Sequence, residues 1–418
     1  MCGRCAIGDS YFLSFLDKIL EFFLISFRYS FFVKIVKKTE KLYPEIWEKI
    51  DSKNIRVDIF SPEFIFPAVY LCFVAASPYR ISNLALFSIL VGVAFFILGT
   101  KLARGKFSSI VCEEKSEKIA AFLFLSGIIS LFLDLYYCGS IPLFNPFARR
   151  MLNVPLTMLS MLTVPSAIFG ISIFGKKFLG GEIDKKKARI YSVATMLGVT
   201  FLISLLGYRT QTIVCILGCT IAMFYFELIG VIEILVSLSA VILLISGLGY
   251  CRAIMQGSSV GFFEIIGKRI ALTLSVYDII VNKFSNSSGA NIFLATFSSV
   301  FRFIPGPRLG PRVIVARTIL PDIEGISITS TLYGTVALGF GILGIAIYSV
   351  ILGYILALCH RATKQTHSSM ATSIFSLLLA YTIVGIETGI VDFNVVMFFL
   401  VGFLAIYKSR DGMSTIAR

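Results

Sequence analysis

The sequence predicts an all-α, polytopic membrane protein, and three observations predict it. Hydrophobic residues fill 57% of the 418 positions and charged residues only 15%, giving a mean hydropathy of +0.88. A domain that faces water on every side needs a much larger charged share. Apolar runs of about 17–25 residues recur along the chain, the length that crosses a hydrocarbon core roughly 30 Å thick. Lysine-rich loops alternate with loops nearly free of lysine, as in spans of fixed orientation.

Residues 1–58 contain "YFLSFLDKILEFFLISFRYSFFVKIVKKTEK". Apolar and charged residues recur there at helical spacing, so this segment is expected to lie in the headgroup region. Its charges at Asp17, Lys18 and Glu21 argue against a signal peptide. Ten spans are expected after it, near 59–79, 80–100, 119–138, 154–174, 190–207, 211–227, 230–250, 331–358, 369–387 and 391–407. The first seven form a block over 59–250. An external loop subdomain follows over 251–330, partly helical in "FFEIIGKRIALTLSVYDIIV" and "NIFLATFSSVF". The last three spans and a tail occupy 331–418.

Orientation follows from the short loops. Loop 101–118 carries Lys101, Arg104, Lys106, Lys115 and Lys118; loop 175–189 carries five lysines and Arg189; loop 359–368 carries Arg361 and Lys364. With ten spans, these loops, the basic N-terminal segment and the tail share one side, the cytoplasm. The expected location is the cell membrane, multi-pass, with both termini cytoplasmic. Loops 139–153, 208–210, 251–330 and 388–390 then face out. The triplet Asn286-Ser287-Ser288 on that side is a glycosylation sequon.

Several function classes are disfavoured by composition. The nine cysteines lie mostly inside apolar runs, as small buried hydrophobes do. Cys2 and Cys5 form a lone C-x-x-C with no second pair, too few ligands for zinc. The only histidines, His360 and His367, leave little room for a histidine-centred triad. No metal, cofactor or nucleic acid is expected; the lipid bilayer is the expected surrounding.

The distribution of cations then points to a site. Under this topology the exterior holds ten arginines (Arg80, Arg149, Arg150, Arg209, Arg252, Arg269, Arg302, Arg308, Arg312 and Arg317) and only Lys268 and Lys283. The cytoplasmic side shows the opposite preference, 18 lysines to 8 arginines. Orientation and anionic headgroups explain the cytoplasmic lysines. External arginines oppose that rule. Arginine differs in its planar, permanently charged fork, which binds phosphate or carboxylate through two parallel hydrogen bonds. In "RFIPGPRLGPRVIVAR", residues 302–317, proline and glycine fix a non-helical backbone that holds arginines at set angles. Such backbone is tolerated at membrane depth where it lines a polar cavity. The reading is an external pocket for a multiply charged anion, most naturally a pyrophosphate. The competing reading has these arginines snorkel to headgroups or pair with Glu264, Asp278, Asp322, Glu324 and Asp392.

Three stretches resemble the O-antigen polymerase family, the oligosaccharide repeat unit polymerases of archaea and bacteria. They are "LDLYYCGSIPLFNPFARRMLNVPLTML" at 133–159, "GYRTQ" at 207–211, and "GPRLGPRVIVARTI" followed by "SITSTLYGTVALGFGILG" within 306–344. The resemblance implies an inverting, metal-independent glycosyltransferase that polymerises polyprenyl- or dolichyl-diphosphate-linked oligosaccharide outside the cell membrane. It assigns diphosphate binding or leaving-group stabilisation to Arg150, Arg209, Arg308 and Arg312, and also to Arg149 and Arg317. Departure of a lipid diphosphate develops negative charge, which preorganised cations stabilise. A carboxylate is the expected general base, with Asp134 foremost and Asp278, Asp322, Glu324 and Glu387 as alternatives. Tyr136, Tyr137, Phe144 and Phe147 are placed to stack on sugars or to form an interfacial belt. A ligase using the same donor, or a flippase of lipid-linked oligosaccharide, are the competing functions. One-sided charge and the lack of repeated halves favour transfer over transport.

Overall fold

A computed structural model describes residues 58–105, 107, 113–145, 148–230, 233–239, 243, 247, 262–323 and 326–409. The chain divides into two compact units, Met1–Ile59 and Phe60–Arg418, and the second is described here. The expected amphipathic segment therefore lies outside the described residues, apart from Asp58, as does most of the expected span 230–250. Every regular element among the described residues is a helix.

The helices are α1 (Pro62–Ala75), α2 (Asn83–Leu102), α3 (Glu113–Cys138), α4 (Val154–Ser160), α5 (Thr163–Leu179), α6 (Lys185–Ser204) and α7 (Arg209–Tyr225). Then come α8 (Phe262–Ile279), α9 (Asn291–Ser298), α10 (Pro311–Ile319), α11 (Thr331–Thr366), α12 (Ser369–Thr388) and α13 (Phe393–Lys408). Among the described residues, five apolar tracts reach the length and hydropathy of a membrane span: α2, Ser116–Cys138, Val154–Leu179, α11 and α12. Ten were expected. α1, α7 and α13 are apolar but have only 14, 17 and 16 residues, about 21–26 Å at 1.5 Å per residue. α7 has no need to meet lipid on its own, because Gln211 through Phe224 are all buried by neighbouring helices.

α12 is buried over most of its length and packs against α5, α7 and α11. α11 also runs along α2, and two glycines let their backbones meet. A Cβ on Gly99 would lie 2.2 Å from the Val350 carbonyl oxygen, and one on Gly353 would lie 2.2 Å from that of Phe96. Small residues at such crossings are the usual way for helices in lipid to approach closely.

α11 is broken at Gly341, whose φ of 61° and ψ of −153° no helix accommodates. A break releases carbonyls that lipid cannot satisfy. The amides of Asn286 and Ser288 meet that need, donating to the carbonyls of Ala337 and Leu338 at 3.0 Å each. The stretch 262–298, with helices where both apolar pieces of the external loop were read, is thereby tied to the bundle. Tyr277 of α8 is fully buried, its hydroxyl 2.6 Å from that of Ser88 in α2.

The lysine-rich loops meet at one end. Lys101 pairs with Glu63, Lys177 with Glu117 and Arg189 with Glu233, each at 2.8 Å. The Phe107 amide donates to Gln365 Oε1 at 3.0 Å, linking loops 101–118 and 359–368. Gly353→Val is expected to drive a branched side chain into the Phe96 carbonyl and destabilise the bundle by roughly 1–3 kcal/mol. Thermal unfolding of the detergent-solubilised variant checks this; an unchanged midpoint would mean that the glycine contact does not limit packing.

Candidate functional site

The opposite end of the bundle is built from the proline- and glycine-rich stretches. "GSIPLFNPFARR" folds back on α6, its Leu143 amide donating to the Leu205 carbonyl at 3.1 Å, and Cys138 Sγ donates to the Ala148 carbonyl at 3.3 Å. This carries the short 3₁₀ turn Ala148–Arg150 toward the start of α7, where the Arg149 guanidinium sits 4.2 Å above the Tyr208 ring. Cation–ring contact of this kind fixes an exposed arginine without consuming its hydrogen-bond donors. In the third stretch, Gly310 and Pro311 start α10, with Pro at the first helical position, where its fixed φ suits the helix and its missing N–H costs nothing.

A cavity of about 430 Å³ lies where these segments meet. Arg149, Tyr208, Gln211, Arg312, Asp392 and Asn394 supply its functional side chains, and Thr157 and Ser299 add hydroxyls. Residues from five segments of the chain, within 152–161, 208–211, 296–300, 310–313 and 392–395, contribute to its wall. Four helices, α4, α7, α10 and α13, begin at this wall; Asn153 caps α4, and no side chain among the described residues caps the first turn of the other three. Each helix start carries a partial positive charge and exposed N–H donors, the arrangement that receives phosphate at helix N-termini.

The arginines read from the sequence have separate fates. Arg312 lines the cavity and its Nη2 meets Asp392 Oδ2 at 2.5 Å; its Nε is buried with no hydrogen-bond partner among the described residues. Arg209 opens α7, half-buried, between the wall residues Tyr208 and Thr210. Arg308 stands away from the cavity wall. Its Nη1 donates to the carbonyls of Ser298, Phe301 and Ile304 at 3.3–3.4 Å, so it braces the loop after α9. Arg317 is exposed on α10, five residues beyond Arg312 and so on another face of the helix. Arg150 shares the turn of Arg149, its side chain outside the described residues. Pairing with carboxylates therefore accounts for part of the cluster, since Arg269 also bonds Glu387.

The acids are distributed as sharply. Asp134 is fully buried, accepting from the Asn153 amide at 2.8 Å and Thr157 Oγ1 at 2.6 Å. It anchors the N-terminus of α4 from behind the cavity wall. Asp278 accepts from the hydroxyls of Tyr79 and Ser82, the Ser82 amide and Asn282 Nδ2; its bond raises the Tyr79 hydroxyl above its ordinary pKa. Asp322 lies on an exposed turn, and Glu324 lies outside the described residues. Tyr136 and Tyr137 are 79% and 71% exposed, in edge contact with each other.

Three cavity residues escaped sequence reasoning. Asp392 was weighed only as an ion-pair partner. It occupies the N-cap of α13, which an acid preceding an apolar run signals, yet its carboxylate turns to Arg312 instead of the helix. Gln211, 6% exposed, accepts from Tyr381 at 2.6 Å through Oε1, which orients its amide. Asn394 Nδ2 donates to the Met158 carbonyl at 3.2 Å. Beside the cavity, sharing Thr296, runs an apolar groove of about 220 Å³ between α9, α11 and α13, lined by Phe293, Phe297, Ile351, Phe399 and Leu400 among others.

The family model for O-antigen polymerase matches residues 58–399. An uncharacterized protein of Methanocaldococcus jannaschii is 33% identical over 291 residues, 70% of this chain and 76% of its own length. No solved structure matches the chain.

Asp134→Ala removes both the acceptor for the Asn153 amide and that for Thr157. It is expected to lower stability by about 1–3 kcal/mol, read as a lower unfolding midpoint in detergent. A midpoint equal to that of the parent would show that α4 holds its position without the buried carboxylate.

Proposed function

The chain belongs to the O-antigen polymerase family, and from that premise we propose that it joins lipid-diphosphate-linked oligosaccharide repeat units into polymer at the outer face of the cell membrane. One observation carries the reading. Three arginine-bearing stretches more than 50 residues apart in sequence border a single polar cavity, with Arg149 and Arg312 on its wall and Arg209 at the edge. An amphiphilic donor suits the neighbouring features. The diphosphate lies among the guanidinium groups and the starts of α7, α10 and α13, and the prenyl tail follows the apolar groove past Thr296.

In the proposed reaction an acceptor hydroxyl attacks the anomeric carbon from the face opposite the diphosphate, inverting it. The anomeric carbon–oxygen bond breaks and the electron pair leaves on the diphosphate. Charge grows on the leaving oxygen, and fixed cations aimed there lower the barrier because they need no reorganisation. Gln211, held by Tyr381, presents its NH₂ to the sugar or the phosphate. Arg308 and Arg317 act outside this contact, Arg308 by holding the loop that delivers Arg312.

Replacing Arg149 or Arg312 with lysine keeps the charge and removes the two-pronged geometry. Each change is expected to slow transfer on the order of 10²-fold, leaving single repeat units at the cell surface. Full-length polymer from both variants would overturn the diphosphate assignment, and repeat units trapped inside would point to a flippase. The sidedness has its own measurement: a cysteine at Ser287 should react with an impermeant reagent added outside, and one at Lys186 should not.

A further inference from the structure

We propose that Asp392 is a placeholder for the donor's phosphate, and that its displacement from Arg312 turns it into the base for the acceptor hydroxyl. The inference rests on the reading of the cavity as a diphosphate site, and deepens it.

Asp392 has the backbone of a helix cap, with φ −69° and ψ 139° just before α13. An aspartate there normally accepts from the helix's own first-turn amides. Here the carboxylate leaves the helix uncapped and takes the Arg312 guanidinium instead. Its side chain is 44% exposed, on the cavity wall, whereas that of Arg312 is 22% exposed. The anion therefore sits on the open side of the pair and the cation on the buried side. That is the position an incoming phosphate must take to reach the same fork. Arg312 is not saturated by the carboxylate: the pair uses Nη2, and Nε has no hydrogen-bond partner among the described residues.

When the donor takes Arg312, Asp392 loses its cation and turns away from the phosphate toward the opposite face of the sugar, where the acceptor hydroxyl arrives. A carboxylate freed from its guanidinium has its oxygens available to accept the hydroxyl's hydrogen bond. The acceptor O–H bond then breaks toward Asp392, the oxygen bonds the anomeric carbon, and the electron pair of the breaking carbon–oxygen bond departs on the lipid diphosphate. The proton on Asp392 passes afterwards to the leaving diphosphate or to water. In this order the base is released only after a donor is seated, which limits proton abstraction to loaded sites. The uncapped amides of α13 gain a ligand in the same exchange.

Asp392→Asn and Asp392→Ser, made in the full chain, test the proposal; serine is also a good cap for α13, which guards against misfolding. Binding is read with farnesyl diphosphate on detergent-solubilised protein, and transfer by polymer length in cells carrying only the variant. Both variants should bind the probe as tightly as the parent or several-fold tighter, with transfer reduced 10²-fold or more. Polymer of parental length would show that Asp392 is not the base. Probe binding lost to the same extent as in Arg312→Lys would show that the carboxylate merely holds the arginine in place. If Arg312→Lys itself binds the probe normally, the diphosphate reading fails whatever Asp392 does.

Discussion

A guanidinium carries its charge at every accessible pH, so at the margin of a hydrocarbon layer it must be matched where it stands. The arginine-rich end of this bundle is organised by the different ways that need is met. Arg312 and Arg269 are matched by carboxylates, Arg149 by the face of Tyr208, and Arg308 by three backbone carbonyls. A carbonyl set closes an arginine into the structure. A carboxylate on the solvent side, or a ring beneath, leaves the fork available to something else. Lysine, a point charge on a flexible stem, lacks the planar fork that meets a carboxylate or lies flat on a ring in fixed geometry.

The backbone faces the same demand. Irregular chain at membrane depth survives only where its polar groups find partners, and the fold supplies them from distant segments. The Leu143 amide reaches Leu205, and the amides of Asn286 and Ser288 reach the broken turn of α11. The Ile328 amide donates to the Arg312 carbonyl at 3.3 Å. These ties make the non-helical stretches rigid enough to present side chains, and they explain why the helices resume where they do. α7, α10 and α13 start together because the chain has to leave the irregular layer there.

Much of this was legible beforehand. Hydropathy over a span-length window marked α2, α3, α11 and α12 to within a few residues at most ends, because burial in lipid and burial in protein demand the same apolar composition. The split of 154–179 into α4 and α5 was not legible, nor was the Gly341 break, since both occur inside uninterrupted apolar runs. The arginine bias drew attention to Arg149 and Arg312, both of which line the cavity. It could not separate Arg308 from Arg312, four residues apart in the same repeated Gly-Pro-Arg, because loops have no period from which direction can be read. Asp134 was chosen for its place near a span end; its partners, Asn153 and Thr157, lie 19 and 23 residues away, beyond any local pattern. Asp392 was legible only as one of several possible ion-pair partners and not as a cavity residue, because its turn toward Arg312 spans 80 residues.

The apolar groove beside Thr296 has rim residues, Ile351 and Leu400, that are 52% and 46% exposed, so it opens sideways. Under the proposed reading a tailed molecule enters by diffusing within the leaflet instead of arriving from bulk water. Encounter is then a two-dimensional problem, governed by the number of carriers per unit area of bilayer. Growth of the polymer would follow how crowded the leaflet is with loaded carriers, and a water-soluble mimic without a tail would be a poor competitor at any ordinary concentration.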